Sequence, residues 1–152
     1  MFKKILVPVD GSETAWRALN NALEIGKKFE SEILVVNVIQ PYNNAALLAV
    51  PLDHATINQG NSELEKVGDK VLELAKEMVG SYPHKVEYDM EVGHPSERII
   101  ALSKKVEADA IVLGSRGLSG IAEFFLGSVS SKVSQYATVP VLIVLSLIHI
   151  SE

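Results

Sequence analysis

Hydrophobic positions along the chain follow two patterns. Short dense runs rich in β-branched residues read as buried strands, and longer stretches with apolar residues every three or four positions read as amphipathic helices. Lys4 to Val9 is the first dense run and leads into Pro8-Val9-Asp10-Gly11-Ser12. Ser12 has the character of a helix N-cap, and Ala15, Leu19, Ala22, Leu23 and Ile25 follow at helical spacing. Glu13 stands one position after that cap instead of three, so no capping box forms. Glu32 to Ile39 is the second strand. Asn61 to Val79 predicts a helix with Leu64, Val67, Val71, Leu72, Leu74, Ala75 and Met78 as its apolar face, closed by Gly80. Lys85 to Val92 alternates in part, which suits an outer strand with one less-buried face. Gly93-His94-Pro95 turns into a third helix, Ser96 to Val106, with Pro95 suited to the first turn. Ala108 to Gly114 and Val139 to Leu145 are the fourth and fifth strands, with a helix from Val129 to Ala137 between them. Strands alternating with helices predict an α/β fold: an open, doubly wound, mainly parallel sheet of five strands with helices on both faces.

Two stretches do not fit this rhythm. Tyr42 to Gly60 holds Asn43-Asn44, Pro51 and Gly60 around an apolar patch, Ala45 to Val50, and reads as a long loop with room for a helical turn. Loops of that length are functional or mobile. The other is the end of the chain, where Val139 to Ile150 is apolar apart from Pro140, Ser146 and His149, although a strand of usual length ends near Leu145. The domain is therefore expected over residues 1–145. Residues 146–152 are either a tail foreign to the fold or an extension of an edge strand that pairs with a second subunit.

Composition narrows the function. The 152 residues suffice for one domain with a substantial core, and 47% apolar with 22% charged residues is ordinary for a globular protein. The net charge of −5, without a Lys/Arg stripe, argues against nucleic acid as a partner. The absence of cysteine removes disulfides, thiolate catalysis and Cys-based metal sites, and the four histidines lack metal-ligand spacing. Met1-Phe2-Lys3-Lys4 opens like a signal peptide, but the apolar run after it, Ile5 to Val9, is too short and ends at Asp10. No span approaches the ~18 apolar residues of a transmembrane helix. A soluble cytoplasmic protein without a membrane partner is the expectation.

The candidate chemistry gathers where the fourth strand ends. Gly114-Ser115-Arg116-Gly117 is followed by nine residues and then Gly127-Ser128. Glycine-rich backbone between the carboxyl end of a strand and the amino end of a helix is where an α/β fold collects phosphate, because free N–H groups and the helix dipole favour negative charge. Ligands of open parallel sheets bind where strand order reverses. A strand order of 3-2-1-4-5 would put that reversal between strands one and four, so that Asp10 and Gly114 face one crevice. An acid beside a phosphate cradle points to ribose, whose vicinal hydroxyls a carboxylate accepts. Blander readings stand beside these. The glycines serve tight turns alone. Asp10 caps the first helix or its turn, and Ser128 and Ser130 cap the fourth with no ligand. Arg116 reaches phosphate or is a solvated charge. His94 is a turn residue, Lys132 lies on the surface, and Trp16 packs.

On these residues the chain resembles the universal stress proteins. The resemblance covers Met1 to about Leu145 and rests on Pro8-Val9-Asp10-Gly11-Ser12, on Gly93-His94-Pro95, and above all on a G-x2-G-x9-G-[ST] pattern filled by Gly114, Gly117, Gly127 and Ser128. In that family the pattern separates members that bind ATP from those that do not. The resemblance implies that Asp10 holds the ribose hydroxyls, beside Ser12 in the same loop. It implies that the backbone near Val38, with Pro8 and Val9, frames the adenine, and that Gly114 and Gly117 let the loop close on the phosphates. Gly127, Ser128, Val129 and Ser130 would give those phosphates N–H and hydroxyl contacts. Each charge-assisted contact is worth roughly 1.5–3 kcal/mol before ordering costs, so a few suffice for micromolar binding, about −8 kcal/mol. The strand order 3-2-1-4-5 and a homodimer through strand five are also implied.

The loop is not a Walker A motif, since Ser128-Val129 stands where Lys-Ser/Thr would follow the last glycine. There is no paired carboxylate, positioned histidine or base near it, so efficient hydrolysis lacks its parts. The expectation is an ATP-binding regulatory or stress-response protein with at most slow hydrolysis, Mg²⁺ entering only as companion of a triphosphate. The alternative is a nucleotide-free dimeric scaffold of the same fold. A phosphoacceptor receiver domain would need further acids after strands one and three and a Lys after strand five, which are missing. The choice among ATP, ADP, AMP and a cyclic nucleotide stays open.

Overall fold

The computed structural model describes residues 1–41, 53–116 and 127–146. Its elements run β1 (Lys4–Pro8), α1 (Glu13–Phe29), β2 (Glu32–Ile39), α2 (His54–Val79), β3 (Val86–Val92), α3 (Pro95–Lys105), β4 (Ala110–Gly114), α4 (Ser128–Tyr136) and β5 (Val141–Val144). The strands form one parallel sheet in the order β3-β2-β1-β4-β5, which is the expected doubly wound α/β architecture.

Each inner strand is apolar on both sides, and the period-two alternation sends its residues to two different cores. Ile5, Val7, Ile33, Val35, Ala110 and Val112 face α1 and α2, where they meet Ala18, Leu19, Ala22, Val71 and Ala75. Leu6, Leu34, Val36, Ile111 and Leu113 face α3 and α4, where they meet Ile99, Leu102 and Val133. Burying one such aliphatic side chain is worth about 1.5–3 kcal/mol, so the double-sided strands carry most of the drive to fold. β3 is half-exposed along its length, as its partial alternation predicts for an edge.

Local signals explain the helix ends. The Ser12 hydroxyl accepts from the Ala15 N–H at 3.3 Å and starts α1. Glu30 ends α1 in the left-handed conformation, with Lys27 and Lys28 in the last turn facing the negative end of the dipole. Pro95 occupies the first turn of α3, and Gly80 closes α2.

Two expectations are corrected. Residues 54–60, read as loop, are the first turns of α2, because Asp53 caps the helix and accepts from the Thr56 N–H at 2.7 Å. The remainder of that loop, 42–52, lies outside the described residues. The apolar face of α2 is narrower than its spacing suggests. Val71 and Ala75 are buried beside Gly68, whereas Val67 and Leu74 are exposed. The chain past β5 stays attached for two residues. The Arg17 guanidinium donates to the Leu145 carbonyl, and Ser146 is buried. The rest of the tail, 147–152, lies outside the described residues.

Candidate functional site

The site grows from a divergence of two neighbouring strands. β1 pairs with β2 as far as Pro8↔Val36, but with β4 only from Ile5↔Ala110 to Leu6↔Ile111. Beyond that point the Val9 N–H donates to the Val36 carbonyl at 2.8 Å, so the chain leaving β1 follows β2. The Ser115 N–H donates to the Val144 carbonyl at 2.9 Å, so the chain leaving β4 follows β5. A crevice therefore opens at the carboxyl ends of β1 and β4, where strand order reverses.

One wall is the turn from β1 into α1. Pro8 is half-buried at the end of β1, and Val9 is buried below the turn. Asp10 is exposed at the rim, and its Oδ1 accepts from the Ser12 N–H at 2.9 Å. The turn-capping role of Asp10 is thus real, and it uses one of the two carboxylate oxygens. Ser12 is buried, and its hydroxyl oxygen is occupied by the α1 cap. Val38, half-buried on β2, packs on the α3/α4 side next to Glu91 of β3.

The other wall is the segment after β4 and the start of α4. Gly114 ends β4 tightly against α1: a Cβ there would lie 2.4 Å from Thr14 Oγ1 and 2.7 Å from the Thr14 carbonyl carbon. Its smallness therefore serves strand–helix contact, a reason separate from loop closure over a ligand. Gly127 donates its N–H to the Ser115 carbonyl at 2.7 Å, and a Cβ there would stand 3.1 Å from that oxygen. Ser130 is buried and its hydroxyl donates to the same carbonyl at 2.7 Å, so that hydroxyl braces the loop from below. Ser128 is exposed and Val129 half-buried at the first turn of α4. Gly117 lies outside the described residues.

The electrostatics favour an anion. Gly127 supplies no side-chain cap to α4, and the first turn of α4 carries no acidic residue. Its positive end is left uncompensated by this helix's own side chains. Two buried donors that have no hydrogen-bond partner among the described residues sit in the adjoining segment, the Ser115 hydroxyl and Arg116 Nε. Among the described residues no group of His, Asp and Glu could hold a metal ion. The carboxyls with shifted pKa values lie elsewhere: Asp53, lowered by its hydrogen bonds to Thr56 at the start of α2, and three carboxyls on β3, Glu87, Asp89 and Glu91. The Arg98 guanidinium, 2.8 Å from Glu91 Oε1, holds Glu91 below the usual carboxylate range. Burial first, and then the Glu91 charge, pushes Asp89 up.

Three residues of this site were not singled out from sequence. Thr14, buried in the first turn of α1, donates its hydroxyl to the Arg116 carbonyl at 2.6 Å. Asn37, buried on β2, donates to the Val9 carbonyl at 2.9 Å. Ser115 supplies the carbonyl that anchors α4. Asn37 carried a readable signal, the one polar side chain in the run from Ile33 to Ile39. Thr14 and Ser115 carried none, since each earns its place through a partner distant in sequence or through burial.

This crevice, with its acid on one rim and an open helix terminus on the other, can be set against known proteins. The family model described as the universal stress protein family matches residues 1–144. The chain belongs to the universal stress protein family. Universal stress protein YxiE of Bacillus subtilis is 38% identical over 149 residues, covering 95% of this chain and 99% of its own. The solved structure of MJ0577, a universal stress protein of Methanocaldococcus jannaschii, superimposes with a TM-score of 0.78 at 30% identity. The match spans 96% of this chain and 97% of MJ0577. A universal stress protein solved in complex with cAMP superimposes with a TM-score of 0.69 at 25% identity, over 93% and 96% of the two chains. Among the described residues of this universal stress protein no helix is long and apolar enough to cross a membrane.

Proposed function

We propose that this universal stress protein binds an adenine nucleotide, ATP foremost, in the β1/β4 crevice and acts as a regulatory stress-response protein in the cytoplasm. The observation that carries the reading is the pairing across the crevice. An exposed carboxylate, Asp10, stands on one wall, and the uncapped α4 terminus with the donors Ser115 and Arg116, unpartnered among the described residues, stands on the other. A nucleotide has that polarity, with neutral hydroxyls for the carboxylate and anionic oxygens for the donors. The relative in complex with cAMP supports the ligand class.

In this reading Asp10 accepts from the ribose hydroxyls through its second oxygen. Pro8, Val9 and Val38 frame the base, and the backbone around Gly114, Arg116 and Gly117 wraps the phosphates. Ser128, Val129 and Ser130 present N–H groups to them, and Gly127, whose own N–H is taken by the Ser115 carbonyl, shapes the approach to that helix terminus. Ser12 and Ser130 act through the scaffold, because their hydroxyls are engaged within the protein. Mg²⁺ accompanies a triphosphate, and any hydrolysis is slow, since the loop lacks the lysine of a Walker A motif. A homodimer forms through β5, an edge strand whose neighbourhood exposes Tyr136, Leu142 and Leu145.

The second reading, a nucleotide-free scaffold, draws on the tight contacts at Gly114 and Gly127, which explain both glycines without a ligand. Calorimetric titration separates the two. The nucleotide reading expects saturable binding of ATP with Mg²⁺, weakened roughly tenfold to a hundredfold in Asp10→Ala, which removes a charge-assisted pair of contacts. Absence of heat with millimolar ATP, ADP, AMP and cAMP leaves the scaffold.

A further inference from the structure

We propose that Thr14 is a positioning residue for the phosphate-binding segment: its hydroxyl fastens the Arg116 peptide to the turn that carries Asp10. The proposal rests on the nucleotide reading above and adds a residue that reading does not use. Four observations converge on it. The β1–β4 ladder stops at Leu6↔Ile111, so no strand pairing connects the two crevice walls above that level. The Thr14 hydroxyl reaches the Arg116 carbonyl at 2.6 Å, across 102 positions of sequence, whereas the Ser12 hydroxyl stands 3.5 Å from the same oxygen. Thr14 is buried, and β4 lies flush against it because residue 114 has no Cβ. Finally, Thr14 follows the Asp10–Ser12 turn by two residues, and that turn is closed by the Asp10 carboxylate on the Ser12 N–H.

Deep in a helix a threonine hydroxyl bonds a carbonyl three or four positions back, but Thr14 is the second residue of α1 and has no such partner in its own helix. Its hydroxyl is spent on the opposite wall. The consequence is geometric. The carboxylate that would take ribose and the peptide that would meet phosphate are joined through one short bond and a rigid first helical turn. Their separation is thereby set before any ligand arrives, which reduces the ordering cost of binding.

The test compares Thr14→Val, which keeps the shape and removes the donor, with Thr14→Ser, which keeps the donor. ATP and adenosine affinities are measured on proteins whose unfolding midpoints are recorded alongside. The expected result is a loss of ATP affinity of roughly tenfold in Thr14→Val with less than about threefold for adenosine, and changes within about twofold in Thr14→Ser. Equal losses for both ligands, or an unchanged ATP affinity in Thr14→Val, overturn the proposal. Thr14→Ala takes the place of the valine variant if the latter does not fold. If the unmodified protein binds neither ligand, the nucleotide reading fails by itself. Thr14 is then judged by amide hydrogen exchange at residues 114–116. Faster exchange in Thr14→Val than in Thr14→Ser supports the fastening role, and equal exchange rejects it.

Discussion

The β2–β3 and β1–β4 pairs are built from similar parallel strands and end very differently. β2 and β3 stay paired from Ile33↔Val86 to Ile39↔Val92, and the Gly93 N–H closes the last rung on the Ile39 carbonyl at 2.9 Å. β1 and β4 part after Leu6↔Ile111. On the first side the backbone satisfies itself, and the side chains at the strand end are free to make a surface ion pair, Glu91 with Arg98. On the second side ladder bonds are replaced by side-chain donors, two hydroxyls and one amide. Thr14 bonds the Arg116 carbonyl, Ser130 bonds the Ser115 carbonyl, and Asn37 bonds the Val9 carbonyl. A sheet that reverses strand order must open a gap, and buried polar groups in that gap need partners. Thr14, Asn37 and Ser130 are placed where the ladder stops, and the crevice keeps its shape because of them.

Substitutions on the two sides should differ in kind, and the largest effect is expected at the open side. Gly114→Val drives a branched side chain into Thr14, where even a Cβ would sit 2.4 Å from Oγ1. The loss is expected to reach about 3 kcal/mol, read as a drop in the urea midpoint, with ATP binding abolished. A midpoint within experimental error of the unmodified protein would show that β4 can move away from α1 freely. Asn37→Ala comes next. It leaves the Val9 carbonyl without its side-chain donor and is expected to cost about 1–3 kcal/mol, with weaker ATP binding as the Asp10 turn loosens.

The smallest effects belong to the closed side and carry a pH signature. Glu91 is held below the ordinary carboxylate range by Arg98, so its ion pair stabilises the protein above that range. That contribution fades as pH falls through the lowered value. Glu91→Gln should destabilise by about 0–1 kcal/mol at neutral pH and leave ATP affinity unchanged. Asp89 has the opposite sign. Its pKa is raised, chiefly by burial, so its charged form is a burden at neutral pH that protonation relieves as pH falls through the raised value. Asp89→Asn is therefore expected to raise the melting temperature slightly at pH 7 and to lose that advantage in acid. A lower melting temperature at pH 7 would contradict this sign.

The architecture was legible because its signals are local. The dense runs of β1, β2 and β4 are buried on both faces, and Ser12, Pro95 and Gly80 mark helix ends at the positions where the chain turns. The beginning of α2 was not legible. Residues 54–60 carry only Ala55 and Ile57 as apolar side chains and include Gly60, too few to mark an apolar period, and their helix starts at the Asp53 cap. Val67 and Leu74 fit the helical period yet lie on the exposed side, because the buried contact is narrowed to Gly68, Val71 and Ala75, where Gly68 meets Asn37 and Met90 closely. At the candidate site the glycine spacing pointed to the crevice, but the reason for Gly114 did not show. Its neighbour Thr14 is distant in sequence, and so is Thr14's own partner, Arg116. Pairings across a hundred positions leave no periodic trace.

The central claim is that the open side of the sheet holds an adenine nucleotide. Its most direct test is to heat the protein, purified without added nucleotide, and to identify what it releases by mass spectrometry. The account predicts adenine nucleotide in near-stoichiometric amount from the unmodified protein and little from Asp10→Ala or Gly127→Val. A protein that releases none, and whose melting temperature does not move with millimolar ATP and Mg²⁺, would contradict it and leave the crevice as an element of scaffold alone.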